Sequence, residues 1–196
     1  MRVWTRRYLK DLQRVSLAQR FMRHGARSQV ICDWTGLTPF QVRAMCKELG
    51  INNGTGSPLR RRGPNPTSLD LLLSSERWRS EAAGLIGLCY VFEAMPREPM
   101  SDPRRDLPGL ARGERFCRAY EVYHELCPGR SLDFNEALLV YTAVATGDEI
   151  RADRCASCSA VIIRHVSGIN RFRCTRCVSA DPPHRLQRLL TPRATL

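Results

Sequence analysis

The chain has 196 residues, 43% hydrophobic and 26% charged, enough to bury one or two cores and too apolar for a wholly disordered polypeptide. Its net charge of +12 is concentrated at the ends: residues 1–30 carry eight basic side chains against Asp11, and residues 151–196 carry nine against Asp153 and Asp181. Two cationic ends suit a polyanion such as nucleic acid, although a solvated surface or an arginine bias (29 of the 31 basic residues) explains the same excess. The longest apolar stretches, such as Ala82 to Phe92, fall short of the roughly 20 residues needed to cross a bilayer. Arginines also interrupt the N-terminus where a secretory signal would need an apolar run. The expectation is a cytoplasmic protein with no membrane partner.

From Trp4 to His24 the apolar residues Trp4, Tyr8, Leu12, Val15, Leu17, Phe21 and Met22 recur at near-helical spacing among basic ones, predicting a basic amphipathic helix that ends at His24-Gly25. The next segment, Ser28 to Cys46, follows a helix-turn-helix pattern. Ile31 and Cys32 face inward, Gly36 permits the turn, and Leu37 plugs the corner. Thr38 is the N-cap of the second helix, Pro39 its first residue, and Gln41 completes a capping box. Val42 and Met45 then point inward, which leaves Phe40, Gln41, Arg43, Ala44 and Lys47 exposed. Gln41, Arg43 and Lys47 are candidate DNA contacts, while a two-helix corner that contacts protein accounts for the same residues.

Residues 51–68, rich in Gly, Pro, Asn and Ser, read as a linker, and Arg60-Arg61-Arg62 within it is a phosphate clamp or a solvated run. Three helical stretches follow: Leu69 to Met95, a second from about Arg112 to Leu126, and Phe134 to Ala145. A break from Pro96 to Pro108 separates the first two, and Cys127-Pro128-Gly129 stops the second. All three read as core or partner-facing helices.

Nine cysteines is an odd number, and a reducing compartment would keep them as thiols. Cys32, Cys46, Cys89, Cys117 and Cys127 sit among apolar neighbours as small core residues. Cys155, Cys158, Cys174 and Cys177 form CASC and CTRC with fifteen residues between the pairs. That spacing predicts four thiolates around one structural zinc ion per chain, each pair on a tight knuckle. Val161-Ile162-Ile163 and Ile169 to Phe172, either side of Ser167-Gly168, are expected to form the hairpin that joins the pairs. His165 and His184 are not needed as ligands. Four protein ligands leave no open coordination position, so the metal would fold the segment rather than activate water. Arg164, Arg171, Arg173 and Arg176 beside it form a second candidate DNA surface.

No phosphate-binding glycine loop, metal-binding histidine pair or oriented nucleophile is visible, so no enzyme is expected. The predicted fold is mainly α, with an N-terminal basic helix and helix-turn-helix-like segment over 1–50 and a linker over 51–68. A helical core and partner-binding region over 69–150 follows, then a small four-cysteine, zinc-ribbon-like module over 151–180 and a basic tail over 181–196.

The order of these parts resembles the FlhC family, the zinc-containing subunit of the bacterial flagellar master transcriptional activator. The resemblance rests on the basic N-terminal helix, HGARSQ (24–29), KELG (47–50), a GSP-containing linker (56–58), AYEVYHELCP (119–128) and the two CxxC pairs. It implies a transcriptional activator that binds double-stranded promoter DNA and contacts RNA polymerase. It also implies a hetero-oligomer of two FlhC-type with four FlhD-type chains, and zinc at Cys155, Cys158, Cys174 and Cys177. The segment after the linker prolines and the residues between KELG and GSP depart from the family pattern, which leaves a divergent regulator of non-flagellar genes open. A zinc-stapled protein-interaction adaptor is the alternative of a different class. A thiol oxidoreductase using one CxxC is a third, against which a closed metal site argues.

Overall fold

The computed structural model describes residues 2–50, 69, 75–96, 109–129, 132–167 and 173–179, with side chains from residue 8 onward. The predicted linker, its three arginines, most of the break before residue 109 and the basic tail lie outside the described residues. Within them the chain runs α1 (Arg2–Arg23), α2 (Ser28–Thr35), α3 (Pro39–Glu48), α4 (Glu76–Val91), α5 (Leu110–Leu126) and α6 (Phe134–Thr146). It continues through β1 (Ile150–Arg154) and β2 (Val161–His165) to a short α7 (Thr175–Ser179). The fold is mainly helical with a small C-terminal cysteine module, as the pattern of residues predicts. No described helix is long and apolar enough to cross a membrane.

Helix α1 has two unequal halves. Leu17, Ala18, Phe21 and Met22 are buried, whereas Tyr8, Leu9, Leu12 and Val15 are exposed, so among the described side chains of the predicted apolar stripe only those from Leu17 onward reach the core. The helix stops where Gly25 adopts φ 75°. The Gly25 N–H then donates to Met22 O (3.0 Å) and the Ala26 N–H to Phe21 O (2.9 Å), the paired bonds that close a helix on a left-handed residue.

The helix-turn-helix expectation holds in detail. Gly36, at φ 68°, ends α2 and donates its N–H to Cys32 O. Thr38 caps α3, with the Gln41 N–H bonded to the Thr38 hydroxyl and the Gln41 side chain accepting from the Thr38 N–H. Ile31, Val42 and Cys46 are buried, and Leu37 and Met45 pack against the core.

Helix α6 is buried on most sides, from Phe134 and Ala137 to Tyr141 and Val144. An Asp133–Glu136 capping box starts it and Gly147, at φ 70°, ends it. Its aromatic residues join the two halves of the bundle. Phe134 meets Phe21 of α1 edge-on (5.1 Å between centroids) and Tyr120 of α5 (5.0 Å), and Tyr141 packs on Phe116 (5.0 Å). Such pairs contribute about 0.5–1.5 kcal/mol each beyond the area they bury. Two polar side chains carried inward find backbone partners. The Tyr141 hydroxyl donates to Ala94 O (2.7 Å), and the Asn135 amide bridges the Arg27 N–H and Gly25 O. Cys46, Cys89 and Cys117 are buried core residues and Cys32 and Cys127 are partly buried. Burial pushes the Cys89 and Cys117 thiols well up, which keeps them unreactive.

The strand predicted at Val161 is present, but the neighbour it is described with is β1, not residues 169–172, which lie outside the described residues. β1 and β2 pair antiparallel, Ile150 opposite His165 and Arg154 opposite Val161. Ile150, Ile162 and Ile163 are buried, and an Arg164–Asp153 ion pair holds the ribbon. The run Ile-Arg-Ala-Asp-Arg hides this strand because its inward positions hold only Ile150 and the small Ala152. The ribbon rests on α4 and α6, and the first CxxC pair lies in its loop.

Candidate metal centre and basic surfaces

The β1–β2 loop positions the first two cysteines. The Cys155 N–H donates to Ala160 O (2.8 Å) and the Ser159 N–H to Cys155 O (2.8 Å), so the strand hydrogen bonding continues one residue into the loop and then reverses. Ser159 supplies the reversal at φ 59°, a left-handed conformation that a residue with a side chain adopts only when its surroundings hold it there. The second pair stands on α7, where the Val178 N–H bonds Cys174 O (3.0 Å). Two contacts join the knuckles: the Cys174 N–H donates to Cys155 Sγ (3.2 Å), and Arg173 Nε donates to Ser157 Oγ (2.8 Å).

The four sulfur atoms lie within 4.8 Å of one another, and Cys158 Sγ is 3.7 Å from Cys174 Sγ. All four cysteines are free thiols, and the separation of 3.7 Å is far beyond the roughly 2.05 Å of a disulfide. Four sulfurs about 2.3 Å from a central ion stand about 3.8 Å apart along the edges of a tetrahedron, so the cluster matches a four-coordinate ion. Electrostatics within the cluster are uneven. The Cys174 N–H is the main cause that brings the Cys155 thiol down to about 6, whereas hydrogen bonds from the Cys177 thiol to neighbouring sulfurs, Cys174 first, push Cys177 up to about 12. A cation that replaces the protons removes this competition, because every thiolate then shares one positive centre.

The expected DNA contacts separate into two groups. Arg43 and Lys47 are exposed one turn apart on α3, with Ala44 and the strongly exposed Phe40 (72%). The Gln41 side chain is occupied in the capping box. Helix α3 rests on α1 and α2, whereas the cysteine module rests on α4 and α6, so different parts of the bundle carry the two surfaces. In the module, Arg164 pairs with Asp153, and Arg173 ties the knuckles through Ser157 and Cys177 O (3.4 Å). Arg176 is exposed on α7, and Arg171 lies outside the described residues. Arg79 of α4 joins Arg164, Arg173 and Arg176 around one groove. No sequence signal points to Arg79, because its proximity depends on α4 packing beside β2.

The AYEVYHELCP segment is structural in this chain. Tyr120 and Tyr123 are buried, the Tyr123 hydroxyl donates to Glu81 (2.8 Å), and Glu121 receives Arg20 Nε (2.8 Å) and lies 2.9 Å from His24 Nε2. No family model matches the chain, and no curated protein matches it.

Proposed function

We propose that this chain is a zinc-containing, DNA-binding transcriptional activator subunit of the FlhC type. It would act with an FlhD-type protein at promoter DNA, contact RNA polymerase there, and have no enzymatic activity. The observation that carries the reading is the capped α2–α3 helix-turn-helix, whose second helix leaves Arg43, Ala44 and Lys47 exposed. A helix of this kind lies in the major groove, and its cations neutralise phosphates or reach base edges. The four thiols support the second half of the reading. All-sulfur tetrahedral coordination favours zinc among abundant cellular cations, and a site closed by four protein ligands serves folding. The cytoplasm is the compartment in which such a thiol cluster and its DNA target meet.

The test is co-expression with an FlhD-type protein, followed by mass measurement and binding to a flagellar promoter duplex over a range of salt. A complex of two and four chains that retards the duplex is expected. Arg43→Ala with Lys47→Ala should weaken it by about tenfold or more and flatten the salt dependence, each lost phosphate contact reducing the slope by about one. Unchanged affinity and slope would show that α3 is not the reading helix. The second reading, a zinc-stapled adaptor, is favoured by the internal engagement of Arg164 and Arg173. It predicts the protein complex without promoter binding.

A further inference from the structure

Between α4 and the cysteine module runs a groove of about 740 Å³, within the range of cavities that take a ligand or a peptide segment. Its wall includes a bare stretch of helix. A side chain begun at Gly87 would stand 3.7 Å from Val161 Cγ2, whereas one begun at Gly84 would meet no atom of the described residues within 4 Å. A glycine in a helix interior is less favourable than alanine. Gly87 lies against the ribbon, but no contact among the described residues accounts for Gly84, which is exposed on the groove wall.

The lining is cationic. Arg79, Arg164, Arg173 and Arg176 line the groove, and Glu76 is the one carboxylate among its described lining residues. Val161 and Val178 add apolar surface to the same lining. A DNA backbone would gain from the cations but nothing from the apolar surface or the missing side chain at Gly84. The chain's own segment 181–196 is an unsuitable occupant, since Arg185, Arg188 and Arg193 outnumber Asp181. A second copy of a chain with net charge +12 meets the same repulsion.

We propose that this groove docks an acidic amphipathic helix of a partner protein. The helix would lay a stripe of small and apolar side chains on Gly84 and Val161 and direct flanking carboxylates at Arg79 and Arg176. Helix-in-groove recognition of this kind combines an apolar stripe for affinity with complementary charge for register. The proposal concerns a surface separate from α3 and does not require α3 to bind DNA.

The probe is a synthetic helix with an Ala/Leu stripe flanked by glutamates, titrated by fluorescence anisotropy into the full chain purified with zinc. A peptide of the same composition in shuffled order serves as control. The striped peptide should bind at least about tenfold more tightly than the shuffled one, a difference of about 1.4 kcal/mol. Gly84→Leu, which fills that bare stretch without changing charge, should cut its affinity by a similar factor, as should Arg79→Glu with Arg176→Glu. Circular dichroism checks that the variants fold, and Gly84→Leu has open space to enter. No binding of the striped peptide, equal binding of the two peptides, or indifference to Gly84→Leu would overturn the proposal. Displacement of the peptide by duplex DNA, with the duplex itself unaffected by Gly84→Leu and weakened by the arginine variants, would assign the groove to nucleic acid instead.

Discussion

Arg20 and Glu121 connect the first helix to α5 across a long stretch of sequence. Arg20 also bonds Glu114, and His24 shares Glu121 while stacking on Phe134 (5.1 Å). The hydrogen bonds from Arg20 are the main reason the Glu121 carboxyl is held below its ordinary value. A carboxylate with a folded-state value below its unfolded one stabilises the protein above the unfolded value, and the contribution is lost as pH falls through the folded one. Glu121→Gln should therefore cost roughly 1 kcal/mol at neutral pH, the low side for a charge-assisted bond because solvent reaches the pair. Thermal melts from about pH 7 down to about pH 3 should show the wild-type advantage shrinking on the acid side. An advantage that grows with acidification would contradict the ion pair. Gly113 makes a second prediction. A side chain started there would stand 2.7 Å from Leu17 Cδ2 and 3.3 Å from the Trp34 ring, and Leu17 is fully buried. Gly113→Val should destabilise by about 1–3 kcal/mol in urea unfolding despite removing a helical glycine.

At the scale of elements, the helix-turn-helix is legible in the sequence because its signals are local. Gly36, Thr38, Pro39 and Gln41 each act within four residues of where they stand in the chain, and the structure uses each as its chemistry dictates. Thr38→Ala should cost about 1 kcal/mol through loss of the cap, read as a lower unfolding midpoint; an unchanged midpoint would mean the box is too exposed to matter. The β1–β2 ribbon is not legible, because Ile150 and Ala152 are too few to mark a strand and the pairing is fixed from outside, by α4 and α6. The exposed half of α1 escapes sequence reading for a related reason. Helical spacing of Tyr8 and Leu12 states that they share a face with the buried residues but not whether another element reaches that far.

At the scale of the molecule, a helical bundle centred on α6 carries two separate appendages: a helix-turn-helix corner on α1 and α5, and a cysteine module on α4 and α6. Cys155, Cys158, Cys174 and Cys177 are readable from spacing alone because a CxxC knuckle is defined within four residues and two such knuckles can share one metal ion. The surrounding groove is not, since Arg79 and Gly84 enter it only through the packing of α4 against β2. Among its described residues the module buries few side chains beyond Ile150, Cys155, Ile162 and Ile163, so a bound metal, rather than a core, should hold α7 to the ribbon. Elemental analysis of the purified chain, paired with Cys174→Ser, measures that directly. One zinc per wild-type chain is expected, with its loss in the variant and a lower melting temperature after chelation. A metal-free wild-type chain of undiminished stability, or full zinc content in Cys174→Ser, would contradict it.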